Sequence, residues 1–133
     1  METLDVVKKV YAAVAEHDLD TFKSLMHPDV VVIEAGSLPY AGRYEGPEGF
    51  TRLLVALDEC WDEFNCSEFD YLESGDTVVA IFRFRAKSRR SDKRIDMRIA
   101  EHWKVRDGKI SFLEPFYFDT HYTCSVLGTV EAA

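Results

Sequence analysis

From Thr77 to Lys87 the side chains alternate without a break: Val78, Ala80, Phe82, Phe84 and Ala86 fall on one side, Val79, Ile81, Arg83, Arg85 and Lys87 on the other. A period of two describes a half-buried β-strand and is incompatible with a helix, whose side chains repeat every 3.6 residues. Arg94 to Arg106 repeats the pattern, with Ile95, Met97, Ile99, Trp103 and Val105 opposite Arg94, Asp96, Arg98, His102 and Lys104. Arms of about a dozen residues exceed the usual strand of ~5–6 and tend to twist and curl. Ser67–Glu73 and Lys109–Phe118 read as flanking strands. The connections Ser74-Gly75-Asp76, Arg90-Ser91-Asp92 and Asp107-Gly108 carry turn chemistry, so an antiparallel meander is expected.

The chain before the meander has helical spacing. Leu4, Val7, Val10, Tyr11 and Val14 recur every three or four residues, predicting a helix from Leu4 to His17. Asp18 is placed to cap a shorter helix carrying Leu19, Phe22, Leu25 and Met26, ended by His27-Pro28. Val30–Ile33 is a β-branched run closed by Glu34. Ala35–Gly46, with three glycines and Pro39, reads as a loop able to fold over a pocket. Gly46-Pro47 opens a third helix whose apolar stripe is Phe50, Leu53, Leu54, Leu57, Trp61 and Phe64. Helices first and an antiparallel sheet afterwards indicate an α+β fold, with a curled sheet closed by helices around a cavity. No linker or repeat divides residues 1–133, so one domain is expected.

The balance of 16 basic against 24 acidic side chains, a formal net charge of -8, repels phosphate backbones and anionic lipid surfaces. Nucleic acid is therefore not an expected partner. No apolar run approaches a membrane span and the acidic start is unlike a signal peptide, so a cytoplasmic protein is expected. Cys60, Cys66 and Cys124 have no ligand-like spacing, and the four histidines form no metal constellation. The expectation is no metal and no organic cofactor.

One residue breaks the apolar row of the second long strand. Glu101 lies between Ile99 and Trp103 on the face that looks inward, where an apolar surrounding disfavours the ionised form. Glu34 is a second candidate, although either face of its strand could be the buried one. If both acids enter one cavity, their repulsion splits the titrations, one staying ionised as a base and the other protonated as a donor. That arrangement suits proton transfer beside a carbonyl. Each acid has a plainer reading as a solvated group. Tyr11, Tyr40, Tyr71 and Tyr117 can offer phenolic donors or simply pack in the core. Arg83, Arg85, Arg94 and Arg98, with Asp96, form an outward charge ladder suited to solvent or a subunit contact.

The order of elements, with several short motifs, resembles the NTF2-like superfamily, particularly its ketosteroid-isomerase-related and SnoaL-like (polyketide cyclase) branch. The resemblance rests on Val10-Tyr11-Ala12-Ala13 before Asp18-Leu19, His27-Pro28-Asp29-Val30, Tyr40-Ala41-Gly42 with Gly46-Pro47-Glu48, Trp103 to Ile110, and Tyr117-Phe118-Asp119-Thr120. It implies a cystatin-like cone: a strongly curved, mostly antiparallel sheet wrapped around three N-terminal helices, dimeric, with an apolar pocket at the open end. In ketosteroid isomerase an ionised aspartate moves the proton while a neutral aspartic acid and a tyrosine hold the enolate oxygen. Counting from Asp29 places the base at Glu34, and counting back from Asp107-Gly108, with one residue of gap, places the neutral acid at Glu101. The helix tyrosine position falls on Val10, with Tyr11 one residue, about 100° of helix, away. The acid that limonene epoxide hydrolases carry before the Tyr-Phe-Asp piece is Phe116 here, which disfavours epoxide opening.

The reading of the sequence is therefore an enzyme acting on a small hydrophobic carbonyl compound by isomerisation or aldol cyclisation. Glu34 is expected as general base, Glu101 as neutral donor and Tyr11 as the candidate third catalytic group. Tyr40, Trp61, Phe82, Phe84, Trp103, Phe116 and Tyr117 are expected to line the pocket or pack just behind it. A homodimer is expected through the outer sheet face, where Val79 and Ile81 sit among charges. The rival readings are a non-catalytic binder of small hydrophobic molecules and a dimeric protein-interaction module.

Overall fold

A computed structural model describes residues 2–130. Its elements follow in the order α1 (Thr3–Ala15), α2 (Leu19–Ser24), β1 (Met26–Glu34), β2 (Gly42–Glu45), α3 (Gly46–Cys60), β3 (Trp61–Ser74), β4 (Thr77–Ser88), β5 (Arg94–Arg106), β6 (Lys109–Tyr117) and α4 (Thr120–Leu127). The strands form one six-stranded curled sheet in the order β2-β1-β6-β5-β4-β3. Only the β1–β6 pair is parallel; every other neighbouring pair is antiparallel. This is the expected α+β architecture, with the helices gathered on the concave face.

The long strands pair throughout: Val78 lies opposite Trp103, Ala80 opposite Glu101, Phe82 opposite Ile99 and Phe84 opposite Met97. The inward rows are buried as their alternation requires, Val78, Ala80, Phe82, Phe84 and Ala86 on β4 and Ile95, Met97, Ile99, Trp103 and Val105 on β5. Against them α1 packs Val6, Val7, Val10 and Ala13, and α3 packs Phe50 and Leu53. Burying such a side chain contributes roughly 1.5–3 kcal/mol, which holds short helices that would be marginal alone. On β1 the buried positions include Val30, Val32 and Glu34, which settles the direction of Glu34: it faces the helices.

The boundaries differ from the sequence pattern in four places. Helix α3 stops at Cys60, and Trp61 and Phe64, which extend its stripe at helical spacing, stand on β3. The cause is tertiary: β4 needs an edge partner along its full length, and Trp61 pairs with Ser88 at its far end. Two register shifts in β3 let a helix-spaced set be accommodated in a strand, and Glu63 and Glu68 take left-handed φ values of 51 and 55 beside them. Strand β1 begins at Met26, before Pro28, because its pairing with β6 is irregular between Met26 and Val31 and asks no donor of the proline. The stretch read as a loop contains β2, four residues paired with Val31–Glu34. Helix α4 was not expected, although Asp119 caps it by accepting from the Tyr122 amide and Gly128 closes it at φ 76.

Candidate active site

Between α1, α3 and the concave face lies a cavity of about 440 Å³, within the usual range for a small-molecule site. Its wall is largely aromatic and aliphatic, including Phe50, Leu53, Leu57, Phe69, Phe82, Phe84, Ile99, Trp103 and Leu113. Among the described residues no lysine, arginine or histidine lines it, and its carboxyl groups are Glu34 and Glu101. A second cavity of about 300 Å³ adjoins it, sharing Val14, Ala15, Phe22, Leu54, Leu57 and Phe64, and reaches His17, Asp18 and Asp58 between α1, α2 and α3.

The two acids come from different strands. Pairing across β5 and β6 sets Glu101 opposite Pro115, and β1 approaches β6 from the other side, its recorded pairs ending at Val32–Leu113. Pro115 has no N–H to continue a ladder, so β1 ends beside it with Glu34 turned inward. Glu101 is held from above by α1. Trp103 Nε1 donates to the Tyr11 hydroxyl oxygen at 2.8 Å, and that hydroxyl donates to Glu101 Oε1 at 2.7 Å. Tyr11 is itself wedged among Phe69, Phe82 and Trp103, with ring centroids 4.8, 5.7 and 5.5 Å away. Glu34 is in the opposite condition. It is 5% exposed, and its Oε1 is buried without a hydrogen-bond partner among the described residues.

These surroundings decide the protonation. Burial raises the Glu34 carboxyl to about 9, with the Glu101 charge adding in the same direction. Burial also raises Glu101, to about 7, but the Tyr11 hydrogen bond opposes it by favouring the carboxylate. Glu101 keeps some accessible surface, and deep as it lies, that surface faces the cavity. Both carboxyl groups are therefore shifted toward the protonated form, and the Tyr11 hydrogen bond makes Glu101 the more readily ionised of the two. The directions differ from the sequence expectation, in which Glu34 is the base and Glu101 the neutral donor: the hydrogen bond that favours a carboxylate is at Glu101. Spacing to a turn or a motif does not record which acid receives a phenolic proton.

Beyond Glu34 a second tryptophan–tyrosine chain runs behind the wall. Trp61 Nε1 donates to the Tyr40 hydroxyl oxygen at 3.3 Å, and the hydroxyls of Tyr40 and Tyr117 are 2.7 Å apart. Tyr117 lines the cavity, Tyr40 lies behind it, and Trp61 lines the adjoining second cavity. Burial pushes the phenols of Tyr11, Tyr40 and Tyr117 upward, so all three are neutral donors.

Of the residues singled out from sequence, Tyr11, Glu34, Phe82, Phe84, Glu101, Trp103 and Tyr117 meet at the cavity. Phe116 does not. It is 54% exposed and pairs with Ala100 on the outer side, because β6 turns Leu113, Pro115 and Tyr117 inward and the residues between them outward. Val10, where the count sets the helix tyrosine position, and Tyr11 both line the cavity, because α1 crosses it with adjacent flanks. Cys66 and Phe69 line it too and were not expected, since the β3 register shift between Ser67 and Asp70 breaks the alternation that would have marked them. Burial raises the Cys66 thiol, leaving it protonated. Among the described residues no three His, Cys, Asp or Glu side chains converge in a way that could hold a metal ion.

Comparison with known proteins fits this geometry. The profile of the SnoaL-like domain family matches residues 7–113. The chain belongs to the SnoaL-like domain family. This SnoaL-like chain is 31% identical over 118 residues to a protein of Mycobacterium tuberculosis described as uncharacterised, covering 87% of this chain and 88% of that one. An NTF2-like protein from Burkholderia thailandensis superposes with a TM-score of 0.86 at 29% identity, over 96% of this chain and 98% of the other. A protein of Pseudomonas putida proposed to be a polyketide cyclase shares the fold, with a TM-score of 0.79 at 17% identity over 95% and 98% of the two chains. The SnoaL-like family and the NTF2-like fold are thus common to these proteins and this chain. No helix of the described residues is long and apolar enough to cross a membrane.

Proposed function

We propose that this SnoaL-like protein catalyses proton transfer at a carbon beside the carbonyl of a small hydrophobic compound, in an isomerisation or an aldol-type cyclisation, using side chains alone. The observation that carries the reading is one apolar cavity holding two carboxyl groups in unlike environments, Glu101 hydrogen-bonded by Tyr11 and Glu34 with its Oε1 unpartnered among the described residues. Glu101 is the general base: its carboxylate takes the α-proton while Tyr11 fixes its orientation. Glu34 is the donor, giving its proton as a hydrogen bond to the carbonyl oxygen as negative charge grows there. A donor already aimed where charge develops contributes ~3–4 kcal/mol to the transition state. A cavity wall without lysine, arginine or histidine supports a neutral substrate over a carboxylate or phosphate.

The same reading carries a homodimer through the convex side of the sheet. Leu72 lies opposite Val79, and Ile81, Ala100 and Phe116 follow one another across three strands, forming an outward apolar row with Leu72 and Phe116 each 54% exposed.

The decisive experiment is solvent deuterium uptake into a panel of enolisable cyclic and aryl ketones, followed by mass spectrometry. Wild-type protein is expected to catalyse exchange with at least one of them. Glu101→Gln is expected to lower that exchange by roughly 10²-fold or more with ketone affinity kept. Exchange that persists at the wild-type rate in this variant refutes Glu101 as the base.

A further inference from the structure

The second cavity adjoins the first with no wall of its own between them: Val14, Ala15, Phe22, Leu54, Leu57 and Phe64 face both. Protein interiors pack to crystal density with few voids larger than a water molecule. About 300 Å³ left open beside a candidate active site therefore forfeits contacts that a folded chain ordinarily makes. The residues at its outer edge point the same way. Leu19 is 42% and Phe64 45% exposed, two large apolar groups kept at the solvent end of an apolar space. Phe64 stands there because β3 carries an extra residue between Asp62, opposite Lys87, and Asn65, opposite Arg85. The bulge brings its ring to Phe84, centroids 5.0 Å apart, where the two cavities meet.

The two compartments differ in what they offer a ligand. The inner one holds both carboxyl groups with Tyr11 and Tyr117. The outer one offers hydrocarbon, because its polar groups are already spoken for. The Trp61 indole N–H is given to Tyr40. Asp18 accepts from the Thr21 amide and hydroxyl, and Asp58 lies 3.6 Å from the Arg89 guanidinium. The remaining polar rim group, His17, is exposed to solvent. We propose that the outer compartment is a second subsite of the same binding site, taking the hydrocarbon tail of an elongated ligand whose polar ring end occupies the inner cavity, with Leu19, Leu57 and Phe64 as specificity-determining residues. The ligand class is a ring ketone with an uncharged chain of several carbons directed away from its carbonyl. The inference rests on the reading of the inner cavity as the carbonyl site given above, and it adds the length of the substrate and the polarity of its far end.

The test uses binding and needs no turnover. The probes are 2-acetylnaphthalenes carrying a methyl, butyl or hexyl chain at carbon 6, and calorimetry gives their dissociation constants. On wild type, affinity is expected to rise up to about fourfold for each methylene added. Leu19 lines the outer compartment and not the inner one, and it opens α2 at a part-exposed position. Leu19→Trp fills the compartment, and Leu19→Asp sets a charge against the tail at a helix start that favours an acid. Each variant is expected to lower the hexyl-to-methyl affinity ratio about tenfold or more, with methyl-ketone affinity within about twofold of wild type as the check on folding. A bromine at the chain end is expected to quench Trp61, which faces the outer compartment alone, and Trp61→Phe to remove the bromine-specific quenching. A wild-type ratio near one, a ratio unchanged in either Leu19 variant, or bromine quenching that survives in Trp61→Phe overturns the proposal. The deuterium assay reports separately: exchange into a ketone whose affinity ignores chain length keeps the proton-transfer reading and removes the subsite, and a Leu19-dependent ratio without exchange does the reverse.

Discussion

Replacing Glu34 by Gln tests the electrostatics of the cavity without a substrate. An unfolded Glu34 titrates near 4.5, whereas burial holds the folded group near 9. Between those values the unfolded chain has released a proton that the folded chain keeps, so folding stability falls as pH rises through the window. Each pH unit inside it lowers stability by about 1.4 kcal/mol, so from pH 5 to pH 8 Glu34 alone removes on the order of 4 kcal/mol. Gln has the same shape and no proton to lose. The fixed cost of burying its amide is the same at both pH values and cancels when the variant and wild type are compared across the range. Urea denaturation at pH 5, 6, 7 and 8 measures the difference. The expected result is a variant whose stability relative to wild type improves steadily with pH, by on the order of 4 kcal/mol in total. Parallel pH profiles would refute the argument, because they would mean that Glu34 titrates alike in the folded and unfolded chains.

Tyr11→Phe removes the charge-assisted hydrogen bond to Glu101, of about 1.5–3 kcal/mol, so the acid limb of the deuterium-exchange profile should move up by about one to two pH units. An unmoved limb would show that Tyr11 does not act on the base. Ile81→Lys places a charge in the outward apolar row between Asp70 and Ala100, and sedimentation should then report a monomer where wild type sediments as a dimer. Two species of equal mass would exclude that face as the interface. Asp119→Ala deletes the cap that accepts from the Tyr122 amide and should lower stability by about 0.5–2 kcal/mol, read by thermal unfolding, with ketone affinity retained.

The elements that reached the structure with least change are those whose periodicity the core enforces. Phe82 and Phe84 alternate with Arg83 and Arg85, and a one-residue slip would turn every one of them to the wrong side. The matching alternation on β5 puts Glu101 indoors, so an inward acid on that strand is legible in the sequence. Trp61 is the contrary case. Its spacing from Leu57 suits a helix, and only competition from β4 for an edge partner draws it into a strand. Strand β2 is four residues long and pairs with a single neighbour, too short to show a period. Phe116 was misplaced for a related reason: aromatic character suggests burial, and only the facing of β6 shows that its ring turns outward.

The amino-acid order alone thus determined the α+β layout, the inward rows of the long strands and the presence of an acid among apolar neighbours, because these follow from local period and turn chemistry. The direction of Glu34, the contact of Tyr11 with Glu101 and the alignment of Tyr40 behind Tyr117 were decided by the tertiary structure. The relevant partners are 90 and 77 residues apart in the chain. Whether a carboxyl group is a base or an acid depends on which donor reaches it across that separation, and strand curvature and helix placement set that distance.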